Sequence, residues 1–304
     1  SRGRGAYICE TNEGMKLLAP FRGSKERAMF LRGVLLRLSE SGFPAEQICL
    51  TKEGEAVAND DMGMRYWLKD MIPGGECSTS RESDMIRAVT QLAKLHTALR
   101  DCAPEIPEFM MTDRNDPSNV CQRHYRELIK VKNYVLARRS RNEFERSFLA
   151  QYEHYMGDAA EAIRLLDEEE IHSVKGLCHG DFNQHNVLRT TDGFRIVHYE
   201  NMCYTMQVVD LANFVRKMLE KNRWEKDLGM RLLEQYDKER AMCADEKKLL
   251  YAMLLFPEKF WKVSNHYSNS RKTWVSEREI EKLVRMSELE PARSRFLENM
   301  LSFL

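Results

Sequence analysis

The chain has no closely spaced cysteines: its eight, at positions 9, 49, 77, 102, 121, 178, 203 and 243, stand at least 19 residues apart. That spacing excludes a CxxC zinc knuckle and a redox dithiol. Scattered cysteines in a chain this long read as small buried residues or free thiols of a reducing, intracellular compartment. There is no net charge, with 47 Lys plus Arg against 47 Asp plus Glu, and this disfavours a nucleic-acid binder, whose phosphate-tracking surface needs a basic excess. No apolar run approaches the ~18 residues of a membrane span. The longest, Leu249 to Pro257, stops at nine. No secretory leader opens the chain, and because residue 1 is Ser rather than Met, a native segment is expected upstream. What is present is 304 residues, 43% hydrophobic and 31% charged, enough for a true core and too apolar for disorder. The length fits one large two-lobed domain or two small ones.

The first seventy residues read as strand, strand, helix and three strands, an α+β unit. Ala6–Glu10 and Met15–Phe21 flank a turn at Thr11-Asn12-Glu13-Gly14. Ser24 caps a helix carrying Met29, Leu31, Val34, Leu35 and Leu38, which closes near Gly42-Phe43-Pro44. Ile48–Leu50, Ala56–Ala58 and Arg65–Ile72 are the next strands. After Pro73-Gly74-Gly75 the pattern turns helical, with Thr79 and Glu82 as a capping box ahead of Met85, Ile86, Val89, Leu92, Leu95 and Leu99. A proline-rich loop over 101–118 precedes helices at about 119–139 and 143–169. One extended patch, Leu177 to Val197, is folded at Thr190-Thr191-Asp192-Gly193, and everything from Val208 onward is helical.

That embedded hairpin holds His179-Gly180-Asp181-Phe182-Asn183-Gln184-His185-Asn186, followed by Val187 and Leu188. His-Gly-Asp alone is a weak signal. An Asp followed five residues later by Asn, on a loop running into a strand, is far more specific. Phosphotransfer of the kinase type needs a carboxylate to accept the substrate hydroxyl proton and an amide oxygen to hold magnesium beside the phosphates. Val209-Asp210-Leu211-Ala212 opens a later helix, and Leu92-Ala93-Lys94-Leu95-His96 sits inside an earlier one.

With these segments the chain resembles the aminoglycoside phosphotransferase and choline kinase class of protein-kinase-like folds. The stretches from Phe214 to Trp224 and from Leu254 to Trp274 narrow the resemblance to CotS-type spore-coat members of that class. The resemblance implies a bilobal α+β fold: a small N-lobe with an antiparallel sheet over residues 1–74, and a large, mostly helical C-lobe over 75–304 carrying the catalytic-loop hairpin 177–200. It implies Asp181 as catalytic base, Asn186 as a magnesium ligand, and His179 and Asp210 as supports of the loop. The backbone at Asp70, Met71 and Ile72 would meet adenine, and Arg2-Gly3-Arg4-Gly5 would be the remnant of the glycine-rich loop.

Three positions depart from the family pattern. Ala19 aligns with the lysine that grips the phosphates, and Lys16 lies on the opposite strand face, able to replace it only through a bulge. Leu31 aligns with that lysine's glutamate partner, one turn beyond Glu26. Losing both together is coherent, since an unpaired buried charge is costly and an apolar pair is not. His198 stands twelve residues after Asn186, where the second metal-binding aspartate is expected, and imidazole is a poor magnesium ligand. Glu200, on the same strand face, is the one oxygen donor that could reach the metal instead.

The resemblance with these departures implies a catalytically degraded, kinase-like component of the endospore coat, binding coat proteins or a small molecule in the interlobe cleft. It would be made in the cytoplasm and deposited on the forespore coat, with neither nucleic-acid nor membrane partners. The alternative is an active small-molecule phosphotransferase using ATP and Mg2+. His96 reads as a helix-face packing residue and Cys178 as a buried strand cysteine. The basic stretch Lys130–Arg146 reads as a solvated face, and the aromatics between Phe256 and Trp274 as core, with a cleft lining as the other reading.

Overall fold

Tyr7–Thr11 (β1) and Gly14–Pro20 (β2) pair antiparallel from Thr11↔Gly14 to Tyr7↔Leu18. The Thr11 hydroxyl donates to the Gly14 carbonyl at 2.7 Å, and the positive φ of Gly14 closes the turn. This computed structural model describes residues 5–102, 104–167, 175–269 and 277–304, so Arg2, Gly3 and Arg4 of the expected glycine-rich remnant lie outside the described residues. Lys25–Glu40 (α1) starts at Ser24, whose Oγ accepts from the Arg27 amide, and buries Ala28, Leu31, Val34, Leu35 and Leu38. Its end turns at Gly42 in the left-handed region, with the Phe43 amide returning to the Leu38 carbonyl.

Ala58–Asn59 (β3) and Arg65–Asp70 (β4) complete a sheet of order β1-β2-β4-β3. The strand expected at Ile48–Leu50 is reduced to a bridge from Ile48 to Lys69 and a bond from the Cys49 amide to the Leu68 carbonyl. Along β4, Trp67 and Lys69 point to one face, and both are buried.

The Pro73-Gly74-Gly75 stretch leads into a further strand before the chain turns helical. Gly75–Glu76 (β5) pairs with Val187–Thr190 (β7), which in turn pairs with Gly193–Ile196 (β8). A Cβ on Gly74 would meet the Arg189 carbonyl at 2.8 Å, so this close approach needs glycine. Glu82–Asp101 (α2) begins two residues later than the expected capping box requires. Glu82 is its first residue rather than its third, the cap position falls on Arg81 without a side-chain bond, and Asp84 accepts the Ser78 amide instead. Lys175–Cys178 (β6) pairs with Cys203–Met206 (β9).

The rest of the described chain is helical: Pro117–Leu136 (α3), Glu143–Leu166 (α4), Val208–Lys221 (α5), Lys226–Glu239 (α6), Ala244–Leu255 (α7), Glu258–Asn269 (α8) and Glu277–Leu301 (α9). The α+β character read from the sequence is the observed one, with a small antiparallel sheet first and a larger helical region after it. Two compact units divide the chain. One holds the residues up to Met110 with Gly176–Phe214 and Glu234–Ala241, and the other Met111–Lys175, Val215–Leu233 and Met242–Leu304. Phe144, Phe148, Phe260 and Tyr267 stack in the core of the second unit, so the described late aromatics serve packing, while Trp274 lies outside the described residues. Lys130, Arg138 and Arg139 are solvated. Among the described residues no helix is long and apolar enough to cross a membrane.

Candidate active site

Asp181 sits on a loop that a single buried carboxylate holds by its backbone. The His179 and Gly180 amides donate to the two oxygens of Asp210 at 2.7 and 3.0 Å. Asp210 lies in the first turn of α5 and is buried. Charge-assisted bonds to two adjacent amides fix the loop's entry. Gly180 has φ +79°, and a Cβ there would stand 2.0 Å from the Asn201 carbonyl oxygen, so no other residue fits. The His179 Nε2 proton goes to the Val197 carbonyl at 3.0 Å, and Nδ1 accepts the Asp181 amide at 3.2 Å. Both ring nitrogens of His179 are thereby used by a neutral imidazole, and Asp210 is held by two backbone amides.

The Asp181 carboxylate accepts from Asn183 Nδ2 at 2.8 Å and from Asn186 Nδ2 at 3.2 Å. Asn186 Nδ2 also reaches the Asp181 carbonyl at 2.8 Å, which leaves Oδ1 as its atom for a cation. His96, read from sequence as packing, belongs to this support. Its Nε2 is 3.2 Å from Asp210 Oδ2, and its Nδ1 accepts the Tyr236 hydroxyl at 2.6 Å. The four residues Asp210, His96, Tyr236 and His179 form one buried chain beneath Asp181.

On the strand side the register settles where Lys16 points. Pairing of β2 with β4 runs without a bulge from Lys16↔Asp70 to Pro20↔Tyr66, so Lys16 and Ala19 face opposite ways. The Lys16 ammonium bonds to Asp70 Oδ1 at 2.9 Å, and this bond, opposed by partial burial, raises its pKa. Ala19 lies opposite Trp67, and both are buried, as is Leu31. Glu26 is exposed at the start of α1, where Ser24 bonds to it. The Asp70 and Met71 amides are occupied by the Gln47 and Met15 carbonyls, at 2.9 and 3.1 Å, so neither is free for a base.

The buried cation of this region is a residue the sequence reading passed over. Lys69 is 0% exposed, and its Nζ lies 3.0 Å from Glu46 Oε1, 3.2 Å from His198 Nδ1 and 3.3 Å from each oxygen of Glu200. An ammonium only donates, so His198 Nδ1 accepts here. Burial alone would lower the lysine's pKa, but the Glu46 and Glu200 charges outweigh it and the net shift is upward. Burial likewise works to raise Glu200, yet the lysine charge opposes it and the net shift is downward. Glu46 Oε1 also accepts the His198 amide at 2.9 Å and the Tyr199 amide at 3.4 Å. Arg27 Nη2 donates to the Glu200 carbonyl at 3.1 Å and to the Met202 carbonyl at 2.6 Å, tying α1 to the same turn.

Glu200 does not share a strand face with His198 as the sequence suggested. His198 adopts φ 67° and ψ 61°, which ends the extended run after β8, and Tyr199–Asn201 form a 3-10 turn. The carboxylate still comes within 3.4 Å of the imidazole, by way of that turn. Magnesium requires several hard oxygen donors in near-octahedral array. On this side the candidates are an imidazole and a carboxylate already bonded to an ammonium, and that donor set does not fit the ion.

Solved structures share this fold at low identity. An aminoglycoside phosphotransferase from Alicyclobacillus acidocaldarius superposes with a TM-score of 0.84 at 17% identity, over 98% of this chain and 89% of its own. A spectinomycin phosphotransferase, solved with ADP and spectinomycin, superposes with a TM-score of 0.62 at 11% identity, over 94% of this chain and 88% of its own. At these identities the likeness establishes the protein-kinase-like fold of the aminoglycoside phosphotransferase type. Among characterised sequences, spore coat protein S of Bacillus subtilis (strain 168) is 24% identical over 98% of this chain and 87% of its own length. The family described as "Spore coat putative kinase YutH" matches residues 18–300, and the chain belongs to that spore-coat kinase-like family.

Proposed function

We propose that this protein serves the endospore coat as a kinase-shaped structural or binding component that has lost ordinary phosphotransfer. The observation that carries this reading is the Lys69–Glu46–Glu200–His198 cluster. It stands where the family's second metal carboxylate is expected, while Ala19 and Leu31 stand where its phosphate-gripping ion pair is expected. Each electrostatic clamp of this kind is worth ~10²–10³ in rate, so two or three missing together take turnover below any useful level. Its partners on this reading are coat proteins or a small molecule in the kinase cleft, its site of action is the forespore coat, and it needs no resident cofactor. The likeness to spore coat protein S supports the setting.

One observation favours the second reading, an active ATP-dependent small-molecule phosphotransferase. The loop bearing Asp181 and Asn186 keeps every support a base needs, from Asp210 through His96 and His179. In such an enzyme Asp181 would orient the substrate hydroxyl and take its proton.

Thermal unfolding with millimolar ATP, in magnesium, in manganese and without metal, separates the two. A ligand at a hundred times its Kd stabilises the native state by ~2.7 kcal/mol. The coat-component reading expects no magnesium-dependent rise in Tm and no ADP formed from ATP. A magnesium-dependent rise accompanied by ADP release in the presence of a hydroxyl substrate would replace it with the enzyme.

A further inference from the structure

We propose that the Lys69 ammonium is the resident cation of this site, and that it bars divalent metal from Glu200 and His198. The inference rests on the kinase-like reading of the site and is independent of whether phosphate is transferred.

The argument is one of occupied valence. An ammonium has three protons, and Lys69 has three acceptors at 3.0–3.3 Å: Glu46, His198 and Glu200. Its Nζ is equidistant from the two Glu200 oxygens, on the mirror plane of the carboxylate where a bidentate ion would also sit. The Trp67 ring lies 5.2 Å from the ammonium, and Lys69 is fully buried, so water cannot take over as its partner. The turn is built around this arrangement, because the oxygen of Glu46 that holds Lys69 also receives the His198 and Tyr199 amides. A divalent ion on Glu200 would have to share that carboxylate with a fixed positive charge in poorly screened surroundings. Removing the ammonium would leave two carboxylates and an imidazole converging on one point, a donor set suited to Mn2+.

Mn2+ binding to the full-length protein, followed by the EPR signal of the free ion, tests this. Wild type and Glu200→Gln should give the same binding curve. Lys69→Met should gain one Mn2+ per chain, bound at least ~10-fold more tightly than anything in wild type. Glu200→Gln added to that variant should abolish the gain, and Mn2+ should raise the Tm of Lys69→Met alone. Should Lys69→Met not fold, the wild-type and Glu200→Gln pair still decides. Mn2+ held by wild type and released by Glu200→Gln overturns the proposal, as does a folded Lys69→Met that binds no more Mn2+ than wild type. ADP measured in parallel samples of the same proteins, given ATP and a hydroxyl substrate, separates the two conclusions. ADP formed by wild type and undiminished in Glu200→Gln overturns the functional reading alone. Mn2+ lost in Glu200→Gln without any ADP overturns the proposal alone.

Discussion

The loop around Asp181 and the turn around His198 belong to one compact unit but are held by different chemistry. Beneath Asp181 the bonds are directional: amides to Asp210, a neutral His179 bridging two backbone groups, and His96 linking Asp210 to Tyr236. Around His198 the support is a lysine ammonium shared among two carboxylates and an imidazole. The first arrangement satisfies buried backbone groups that the fold must satisfy whatever the protein does. The second gathers charges where the family resemblance leads one to expect a metal-binding carboxylate. The loop geometry and the electrostatics of one kinase-shaped unit therefore depend on different parts of the chain.

Substitutions can set the halves against each other. Lys69→Met should cost the most, roughly 3–4 kcal/mol, because it strands Glu46 in the interior while Glu200 still reaches water. Hydrogen exchange should quicken at the His198 and Tyr199 amides and stay slow at His179 and Gly180; quickening at all four would join the two halves into one. Asp210→Ala should cost roughly 2–3 kcal/mol by removing the acceptor of two amides. Its exchange pattern should be the reverse. His96→Phe, which keeps the packing and loses the bonds to Asp210 and Tyr236, should cost about 1–2 kcal/mol. Combined with Lys69→Met, its effect should add within ~0.5 kcal/mol, and a larger coupling in a double-mutant cycle would show that the halves communicate. Lys16→Met should cost under ~1 kcal/mol and leave any ATP-induced Tm shift unchanged, since its partner is the partly exposed Asp70. A lost ATP shift would return Lys16 to the phosphates.

The loop half was legible because its signal is local. Asp181 and Asn186 lie within eight residues of His179, and a strand-turn-strand frame around them follows from short-range pattern. Asp210 was readable from its place at the start of a helix. The cation half was hidden because its contacts are distant: Lys69 meets His198 and Glu200 across 129 and 131 residues, and no period or motif links them. Strand parity offered the one clue, since Lys69 alternates onto the buried face of Trp67. The bonds of the buried His96 were hidden for a related reason. It sits on the apolar face of α2 among Leu92, Leu95 and Leu99, and its polar partners are 114 and 140 residues away.

The left-handed backbone at His198 bears on how such a site could be reversed. A φ of 67° is uncommon for residues other than glycine, and Asp, Asn and His are the side chains enriched there. Exchange between histidine and aspartate at this position therefore asks nothing new of the main chain. For a metal-binding carboxylate placed there by design, the obstacle is position 69, where a cation already has three partners that would have to be released.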